Sequence, residues 1–355
     1  MDNFFENKIL NDDIRLIAES NLDFSIFKNS SVLVTGATGL IGSLLIKTLV
    51  FCNKYHSLNM KVIGLARSEE KVNNCFWDLL KEDGLAFIYN DINQKVQTEL
   101  NIDYIIHTAS VTASKIMVEY PVDTITTSVL GTKNILDLAV EKGSKGVVYL
   151  SSMEVYGVTD KSLEYIKEGD LGYINLSSIR SSYSEAKRMC ELLCLSYSAQ
   201  YNLQVSIARL AQTFGAGISK EENRVFAQFA RCAINNKDII LHTLGDSEGN
   251  YCYTRDAIKA LLLLLYKGNS GESYNISNEQ THTTILDMAK MVCNKFGNGK
   301  IDVKFDIPKD NLKYGYAPNV KMKLDSSKMR ALGWSPEVGL EEAYSRMIES
   351  IREQI

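Results

Sequence analysis

The feature of this sequence that most restricts its fold is a glycine-rich turn between an apolar strand and an apolar helix. The run SVLVTG ends at Gly36, and LIGSLLIKTLV follows from residue 40 with apolar side chains at helical spacing. Between them, residues 35–42 read TGATGLIG. A glycine at position 36 permits a tight turn after the strand, and one at position 42 lets the helix pack closely against it. A strand that enters a helix in this way is typical of α/β proteins with a parallel sheet.

The same alternation of strand and helix continues along the chain. The apolar runs KVIGLA, DYIIHTAS, GVVYLSS and LQVSIARL predict further buried strands with helices between them. We therefore predict an α/β fold, a Rossmann-type doubly wound parallel sheet with a smaller C-terminal α/β lobe. Residues 1–29 form a partly helical N-terminal extension, 30–212 the Rossmann domain, and 213–355 mainly the substrate-binding lobe. A strand and helix around 238–267 can return to the first domain, and the short strands GESYNIS and IDVKF are assigned to the lobe.

Composition excludes several classes of partner. The 355 residues carry a formal net charge of −4, whereas nucleic acids and anionic membranes attract clustered positive charge. The longest aliphatic run, residues 261–265, is too short to span a bilayer. The first ten residues lack the basic and apolar segments of a secretory signal, so we expect a cytoplasmic protein. Seven scattered cysteines and four histidines show no spacing that predicts a metal site.

The glycine loop, residues 35–42, also predicts a ligand. Backbone N–H groups at the start of the following helix can bind a pyrophosphate, so the loop is assigned to a dinucleotide cofactor. The residues concerned are Gly36, Thr38, Gly39, Leu40, Ile41 and Gly42. After the second strand, where NAD-binding proteins place an acidic residue, this chain has Arg67 and Ser68. An arginine there can pair with a 2′-phosphate, which slightly favours NADP over NAD, or it can stack on adenine or point into solvent.

A tyrosine and a lysine supply candidate chemistry. Tyr183 and Lys187 stand in RSSYSEAKR, four residues apart, and so share one face of a helix. The lysine charge would lower the phenol pKa, and the tyrosine would then remove a hydroxyl proton as hydride leaves the same carbon. The alternative is an ordinary amphipathic surface helix. The position of the pair after SSMEVYG, which directly follows a predicted strand, favours the catalytic interpretation.

These motifs carry a family resemblance. Together with NDI at 90–92, HTAS at 107–110, GTKNIL and ARLAQTFG, they resemble an extended short-chain dehydrogenase/reductase of the NAD-dependent epimerase/dehydratase group, which acts on nucleotide sugars. The resemblance covers residues 30–345. It implies a nucleotide-linked small-molecule substrate and a homodimer formed through the helix that bears Tyr183.

The resemblance also implies roles for single residues. Asp91 and Ile92 would contact the adenine, and Ala109 and Ser110 would line the cofactor cleft. Ser152 would hydrogen-bond the reacting hydroxyl. Tyr183 would be the general base, with Lys187 as its partner. The residues assigned to the substrate are Met153, Gln212, Thr213, Arg224 and Arg255.

Several reactions remain open within this group. Related dehydratases follow the serine or threonine with Asp-Glu or Ser-Glu, but here Met153 precedes Glu154, and a thioether donates no proton. This argues against the Asp-Glu type and leaves an analogue of the Ser-Glu type open. We therefore favour an epimerase that works through a transient ketone on a nucleotide-linked sugar or sugar-like polyol. The alternatives are a 4,6-dehydratase or decarboxylase that uses Glu154, a reductase, and a non-catalytic dinucleotide-binding protein. Glu154 can also be a purely structural carboxylate.

Two further positions depart from the group. Relatives often place an arginine for the nucleotide's diphosphate where this chain has Gly249, and Arg224 and Arg255 are candidate replacements. Ser128 replaces a usual asparagine, which puts a backbone-organising contact in doubt and leaves catalysis untouched.

Overall fold

The computed structural model describes residues 5–219, 221–307 and 321–354. Its centre is a sheet of seven parallel strands in the order β10-β6-β5-β4-β1-β2-β3. The strands are β1 Ser31–Thr35, β2 Lys61–Ala66, β3 Leu85–Tyr89, β4 Tyr104–His107, β5 Gly146–Ser152, β6 Val205–Leu210 and β10 Ser273–Ile276. The predicted doubly wound parallel sheet is confirmed. Its order reverses between β1 and β4, and such a switch point opens a crevice at the carboxyl ends of the strands.

Helices cover both faces of this sheet, which explains why its strands read as continuous apolar runs. Along β1, Val32 and Val34 face one core and Leu33 faces the other, as the alternation of a strand requires. The first core is closed by α1 Lys8–Ala18, α2 Leu40–Tyr55, α3 Glu69–Phe76 and α8 Thr254–Lys267. The second is closed by α5 Pro121–Lys142 and α6 Ser181–Tyr201, with the short α4 Ser114–Glu119 before them.

A smaller C-terminal lobe packs beside the sheet around its own core. Its strands are β7 Gln212–Phe214, β8 Ile239–Leu241, β9 Glu248–Tyr253, β11 Asn278–Thr284, β12 Val303–Phe305 and β13 Lys321–Met322. Its helices are α7 Val225–Ile234, α9 Ile285–Phe296 and α11 Leu340–Arg352, whereas α10 Ser327–Ala331 packs on β10 and places Met329 in the first core. Strands β7, β9, β11 and β13 form one sheet, and β8 pairs with β12.

The return of the chain to the main sheet differs from the prediction. The strand near residue 238 stays in the lobe as β8, whereas α8 packs against β5 and β6. The segment GESYNIS, assigned to the lobe, instead supplies β10, whose partner is β6. The assignment was wrong because a four-residue strand looks alike whether it joins a small sheet or extends a large one.

The N-terminal extension contains the predicted helix, α1, and this helix contacts both parts of the molecule. It packs on α2 and α8 beside the main sheet and on α11 of the lobe. No helix in the described ranges has the length and apolarity of a membrane span. The same ranges contain no group of three histidine, cysteine or carboxylate side chains that could hold a metal ion.

Candidate active site

The glycine loop leaves no room for side chains at two of its positions. Gly36 has a φ of +64°, and a Cβ there would lie 2.9 Å from the Cα of Ala109 at the end of β4. A Cβ on Gly42 would collide with the carbonyl oxygen of Gly36. The loop therefore lies directly against the next strand, which brings the carboxyl ends of β1 and β4 together at the switch point.

The start of α2 fits a phosphate group. Gly39 is its N-cap and supplies no side-chain cap, so N–H groups of the first turn have no acceptor within the helix. The helix dipole adds positive charge at the same point. Thr38, Leu40 and Ile41 are half-buried around this end of the helix. The arrangement suits the pyrophosphate of a dinucleotide, as the sequence predicts.

The residues assigned to the adenosine half lie along the ends of β2 and β3. Arg67 is exposed, and Ser68 caps α3 by accepting a hydrogen bond from the Lys71 backbone at 3.2 Å. Asp91 is exposed and accepts a hydrogen bond from the Asn93 backbone at 2.9 Å. Ile92 is buried against Gly131, so its side chain belongs to the core and any contact with adenine must come from its backbone.

A buried chain of hydrogen bonds fixes the floor of the cleft. The Thr35 hydroxyl accepts from the Ala109 backbone at 3.1 Å and lies 2.7 Å from Nδ1 of His107. Nε2 of His107 lies 3.2 Å from the Thr132 hydroxyl. Burial, reinforced by the charge of Lys187, lowers the pKa of His107 to about 3, so this histidine is neutral. Through Thr35 it helps to position the Ala109 backbone, and its pKa is too low for proton exchange near neutral pH.

Tyr183 lies at the end of the cleft, in the first turn of α6. It is 7% exposed, and the hydroxyls of Ser152 and Ser110 are near enough to its phenol to lower the phenol pKa. Ser152 ends β5 and Ser110 follows β4, so three separate elements converge on one phenol. The sequence names all three residues, and the structure brings them together.

Lys187 lies one turn further along α6, behind Tyr183. Its Nζ donates to the Leu150 carbonyl at 2.6 Å and lies 5.8 Å from the centre of the Tyr183 ring. Burial lowers the pKa of Lys187 to about 8. The sequence predicts a lowered phenol pKa, but the structure shows the opposite: burial and the charge of Glu154 raise the pKa of Tyr183 more than the hydroxyls and Arg180 lower it.

The carboxylate of Glu154 is held on both oxygens. Oε1 accepts from Nη2 of Arg180 at 2.8 Å, and Oε2 accepts from the Ser184 hydroxyl at 3.2 Å. Arg180 and Ser184 flank Tyr183 on α6, so the helix that carries the tyrosine also fixes Glu154. The sequence alone indicates no role for Arg180 or Ser184, because their partner lies 26 and 30 residues away.

The other residues predicted to contact substrate are scattered. Met153 packs partly buried in a small apolar cluster beside Val155 and Tyr156. Gln212 is half-buried at the start of β7, whereas Thr213 is buried and its hydroxyl donates to the Ala211 carbonyl at 2.9 Å. The hydroxyl of Thr213 is therefore engaged within the protein.

The two arginines proposed to replace the one missing at Gly249 have different environments. Arg224 is partly exposed beside α7 and pairs with Glu222 at 2.9 Å. Arg255 is 7% exposed, and its Nη1 lies 3.3 Å from the carboxylate of Asp13 in α1. The assignment of Arg255 to the substrate is therefore wrong, because its charge is used in a buried ion pair that anchors α1.

A second buried network lies behind α6. Arg209 of β6 contacts Glu191 with two hydrogen bonds, of 3.0 and 2.7 Å, and Ser151 donates to the same carboxylate at 2.5 Å. Glu191 follows Lys187 by one helical turn, and its charge raises the pKa of that lysine. The network ties the face of α6 that carries Lys187 to the ends of β5 and β6. None of its members was predicted from the sequence, although an arginine inside the apolar run LQVSIARL indicates a buried partner.

Comparison with known proteins agrees with this geometry. The sequence profile described as the NAD dependent epimerase/dehydratase family matches residues 32–277. The chain belongs to this family.

Three relatives illustrate the range of the epimerase/dehydratase family. UDP-glucuronic acid decarboxylase 6 of Arabidopsis thaliana is 30% identical over 326 residues, which cover 91% of this chain and 89% of the relative. The structure of a UDP-glucose 4-epimerase from Thermotoga maritima, with UDP-glucose, has a TM-score of 0.76 at 22% identity and covers 91% of this chain and 99% of that one. A UDP-glucuronic acid 4-epimerase from Bacillus cereus, in complex with NAD, has a TM-score of 0.73 at 23% identity, with the same coverage. At these identities the two structures show the shared fold.

Proposed function

We propose that this protein is an NAD(P)-dependent epimerase of a nucleotide-linked sugar that acts through a transient ketone. The observation that supports it is the convergence of Ser152, Ser110 and Lys187 on Tyr183 beside an uncapped glycine-rich helix start. The bound dinucleotide supplies the hydride acceptor and donor. The intact tyrosine–lysine pair argues against a non-catalytic binding protein.

The residues of the site would move one proton in each direction. Ser152 orients the substrate hydroxyl, and Tyr183 takes its proton as the carbon gives up hydride and becomes a ketone. Lys187, charged below about pH 8, stabilises the phenolate that this step requires. Return of hydride to the opposite face, with the proton returned by Tyr183, gives the epimer and restores the enzyme.

Loss of carbon dioxide is the second candidate reaction. A ketone next to the carbon that bears a carboxylate accepts the electron pair of the breaking C–C bond, and a proton then replaces carbon dioxide on that carbon. No base is needed at this carbon, which suits a Glu154 already held by Arg180 and Ser184. The similarity to a relative named as a UDP-glucuronic acid decarboxylase also supports this candidate. A dehydratase is less compatible, because Met153 cannot donate a proton to a leaving hydroxyl.

One experiment separates these reactions. The purified protein is incubated with NAD and UDP-linked hexoses or hexuronates in deuterated water, and the products are identified by mass and NMR. The epimerase predicts an isomer of unchanged mass, no deuterium on carbon and no net consumption of cofactor. Loss of carbon dioxide would establish the decarboxylase, and a stoichiometric requirement for NADH or NADPH would establish a reductase.

The preference for NADP over NAD rests on Arg67. Because this side chain is exposed at the end of β2, it is free to meet a 2′-phosphate. We expect Arg67→Ala to weaken NADPH binding about tenfold and NADH binding much less, as measured by fluorescence titration. Equal effects on the two dinucleotides would refute the preference.

The predicted homodimer has a candidate surface. Helices α5 and α6 pack side by side and expose large apolar side chains: Val122, Ile125 and Leu130 on α5, and Met189, Leu192 and Leu195 on α6. A second copy would cover this surface in an isologous contact. Light scattering should give twice the chain mass for the wild type and the single chain mass for Leu192→Glu. A monomeric wild type would refute the dimer.

A further inference from the structure

The guanidinium of Arg180 has a donor that the described protein does not use. Nη2 is bound to Glu154, but Nη1 is enclosed and has no hydrogen-bond partner among residues 5–219, 221–307 and 321–354. An enclosed, charged N–H group without an acceptor is unfavourable, and native proteins almost always satisfy such groups. An acceptor that arrives with the substrate would satisfy it.

The position of Arg180 in the fold indicates where that acceptor would lie. Arg180 immediately precedes α6, three residues before Tyr183, and its charge acts on the phenol. Glu154, its partner, also accepts a hydrogen bond at 3.2 Å from Ser184, the residue that follows Tyr183. The unused donor therefore belongs to the residue at the start of α6, three residues before Tyr183, and an acceptor for it would lie on a substrate group near the carbon that bears the reacting hydroxyl.

The local charge specifies the chemistry of the acceptor. Around Tyr183 the structure places one carboxylate, Glu154, and two cations, Arg180 and Lys187. Glu191, the next carboxylate behind Lys187, is already paired with Arg209, so this part of the site carries one excess positive charge. A neutral hydroxymethyl group would leave that excess uncompensated. A carboxylate would compensate it and would accept a charge-assisted hydrogen bond from the planar guanidinium.

We propose that Arg180 is the specificity-determining residue that selects a nucleotide-linked hexuronate, by sharing its guanidinium between Glu154 and the carboxylate of the sugar. The inference rests on the proposed function, and it holds for epimerisation and for decarboxylation alike. Glu154 competes with the substrate for the same cation. The two carboxylates therefore repel each other, and the positive charge of Arg180 offsets this repulsion.

The test is a binding measurement that requires no turnover. The affinities of the NAD-loaded full chain for UDP-glucuronate and UDP-glucose are measured by titration calorimetry for the wild type, Arg180→Met, Glu154→Gln and Arg15→Met. Arg15 is an exposed arginine of α1, and its variant serves as the control for loss of a positive charge. We expect the wild type to bind the uronate at least tenfold more tightly than the neutral sugar, and Arg15→Met to behave in the same way.

The two variants of the ion pair, Arg180→Met and Glu154→Gln, should change the affinity for UDP-glucuronate in opposite directions. Arg180→Met should abolish the preference and change the affinity for UDP-glucose less than threefold. Glu154→Gln should strengthen uronate binding severalfold, because it frees the guanidinium. If the ion pair is purely structural, both variants should weaken the binding of both sugars equally, and that result would overturn the inference. So would a wild type without preference, or one that binds neither sugar.

Failure of the proposed reaction would look different. A preference for uronate that Arg180→Met removes, without product from either sugar, leaves the inference standing and refutes the proposed function. Product formation without any preference supports the proposed function and refutes the role of Arg180. A thermal melt of each variant, matched to the wild type within about 2 °C, ensures that the comparison concerns binding and not folding.

Discussion

Replacement of Lys187 by methionine should inactivate the protein and at the same time stabilise its cofactor-free form. The lysine is 3% exposed, and burial opposes its charge. Methionine has a similar length and no charge, so the substitution removes a buried cation without leaving a cavity. Activity is lost because nothing remains behind Tyr183 to stabilise a phenolate.

The size of the effect follows from the pKa. A fall from 10.5 to about 8 means that the charged side chain is roughly 3 kcal/mol less favourable in the folded protein than in the unfolded chain. Methionine loses the hydrogen bond to the Leu150 carbonyl, which contributes about 1 kcal/mol. The free energy of unfolding should therefore rise by about 2 kcal/mol at pH 7, and Tm on the order of 4 °C.

The stability that Lys187→Met gains over the wild type should decrease as the pH rises. Between about pH 8 and 10.5 the unfolded chain holds a proton that the folded protein releases, so the wild type gains stability from Lys187 as the pH rises. The advantage of Lys187→Met is therefore full below pH 8 and close to zero at pH 10.

Urea denaturation of the cofactor-free wild type and variant at pH 7 and pH 10 measures this difference. Lys290→Met, at an exposed position on α9, is the control and should change stability by less than about 0.5 kcal/mol. A Lys187→Met variant that is less stable than the wild type at pH 7, or whose gain persists unchanged at pH 10, would refute the reasoning.

Three other substitutions test the rest of the site. Tyr183→Phe should lower kcat about 10²- to 10⁴-fold while leaving cofactor affinity intact, as steady-state kinetics and fluorescence titration will show; turnover within tenfold of the wild type would exclude Tyr183 as the base. Gly42→Ala should abolish dinucleotide binding, since its Cβ meets the Gly36 carbonyl, and an unchanged Kd would contradict the tight turn. Glu191→Ala should destabilise the protein by about 3–5 kcal/mol because it leaves Arg209 charged and buried. The double variant Glu191→Met with Arg209→Met should recover most of that loss in chemical denaturation, and a double variant as unstable as the single one would argue against a stranded charge.

Local patterns in the sequence were sufficient to predict the fold class and to name residues that the structure brings together at the carboxyl edge of the sheet. The glycine loop and the pair Tyr183 and Lys187 each lie within one element and its adjoining turn, where spacing alone determines which side chains meet. The apolar strand runs predicted the parallel sheet because helices cover both of its faces.

Contacts between segments that are distant in the chain could not be predicted from the sequence. Arg255 stands at a position where a nucleotide contact is plausible, and only the fold reveals that Asp13, 242 residues away, neutralises it. The direction of the Tyr183 pKa shift was also missed, because burial is a tertiary property and outweighs the nearby charges. Arg180 and Ser184 gained a role only when β5 and α6 were brought together around Glu154.

The buried carboxylate of Asp13 has a consequence for the order in which the protein forms. It accepts hydrogen bonds from Tyr253 and Arg346, which are 240 and 333 residues later in the chain. At ribosomal rates, roughly 10–50 s pass between synthesis of Asp13 and synthesis of its first partner. Helix α1 can pack on α2 soon after both are made, but its buried carboxylate lacks these partners until the start of α8 and then α11 have been synthesised.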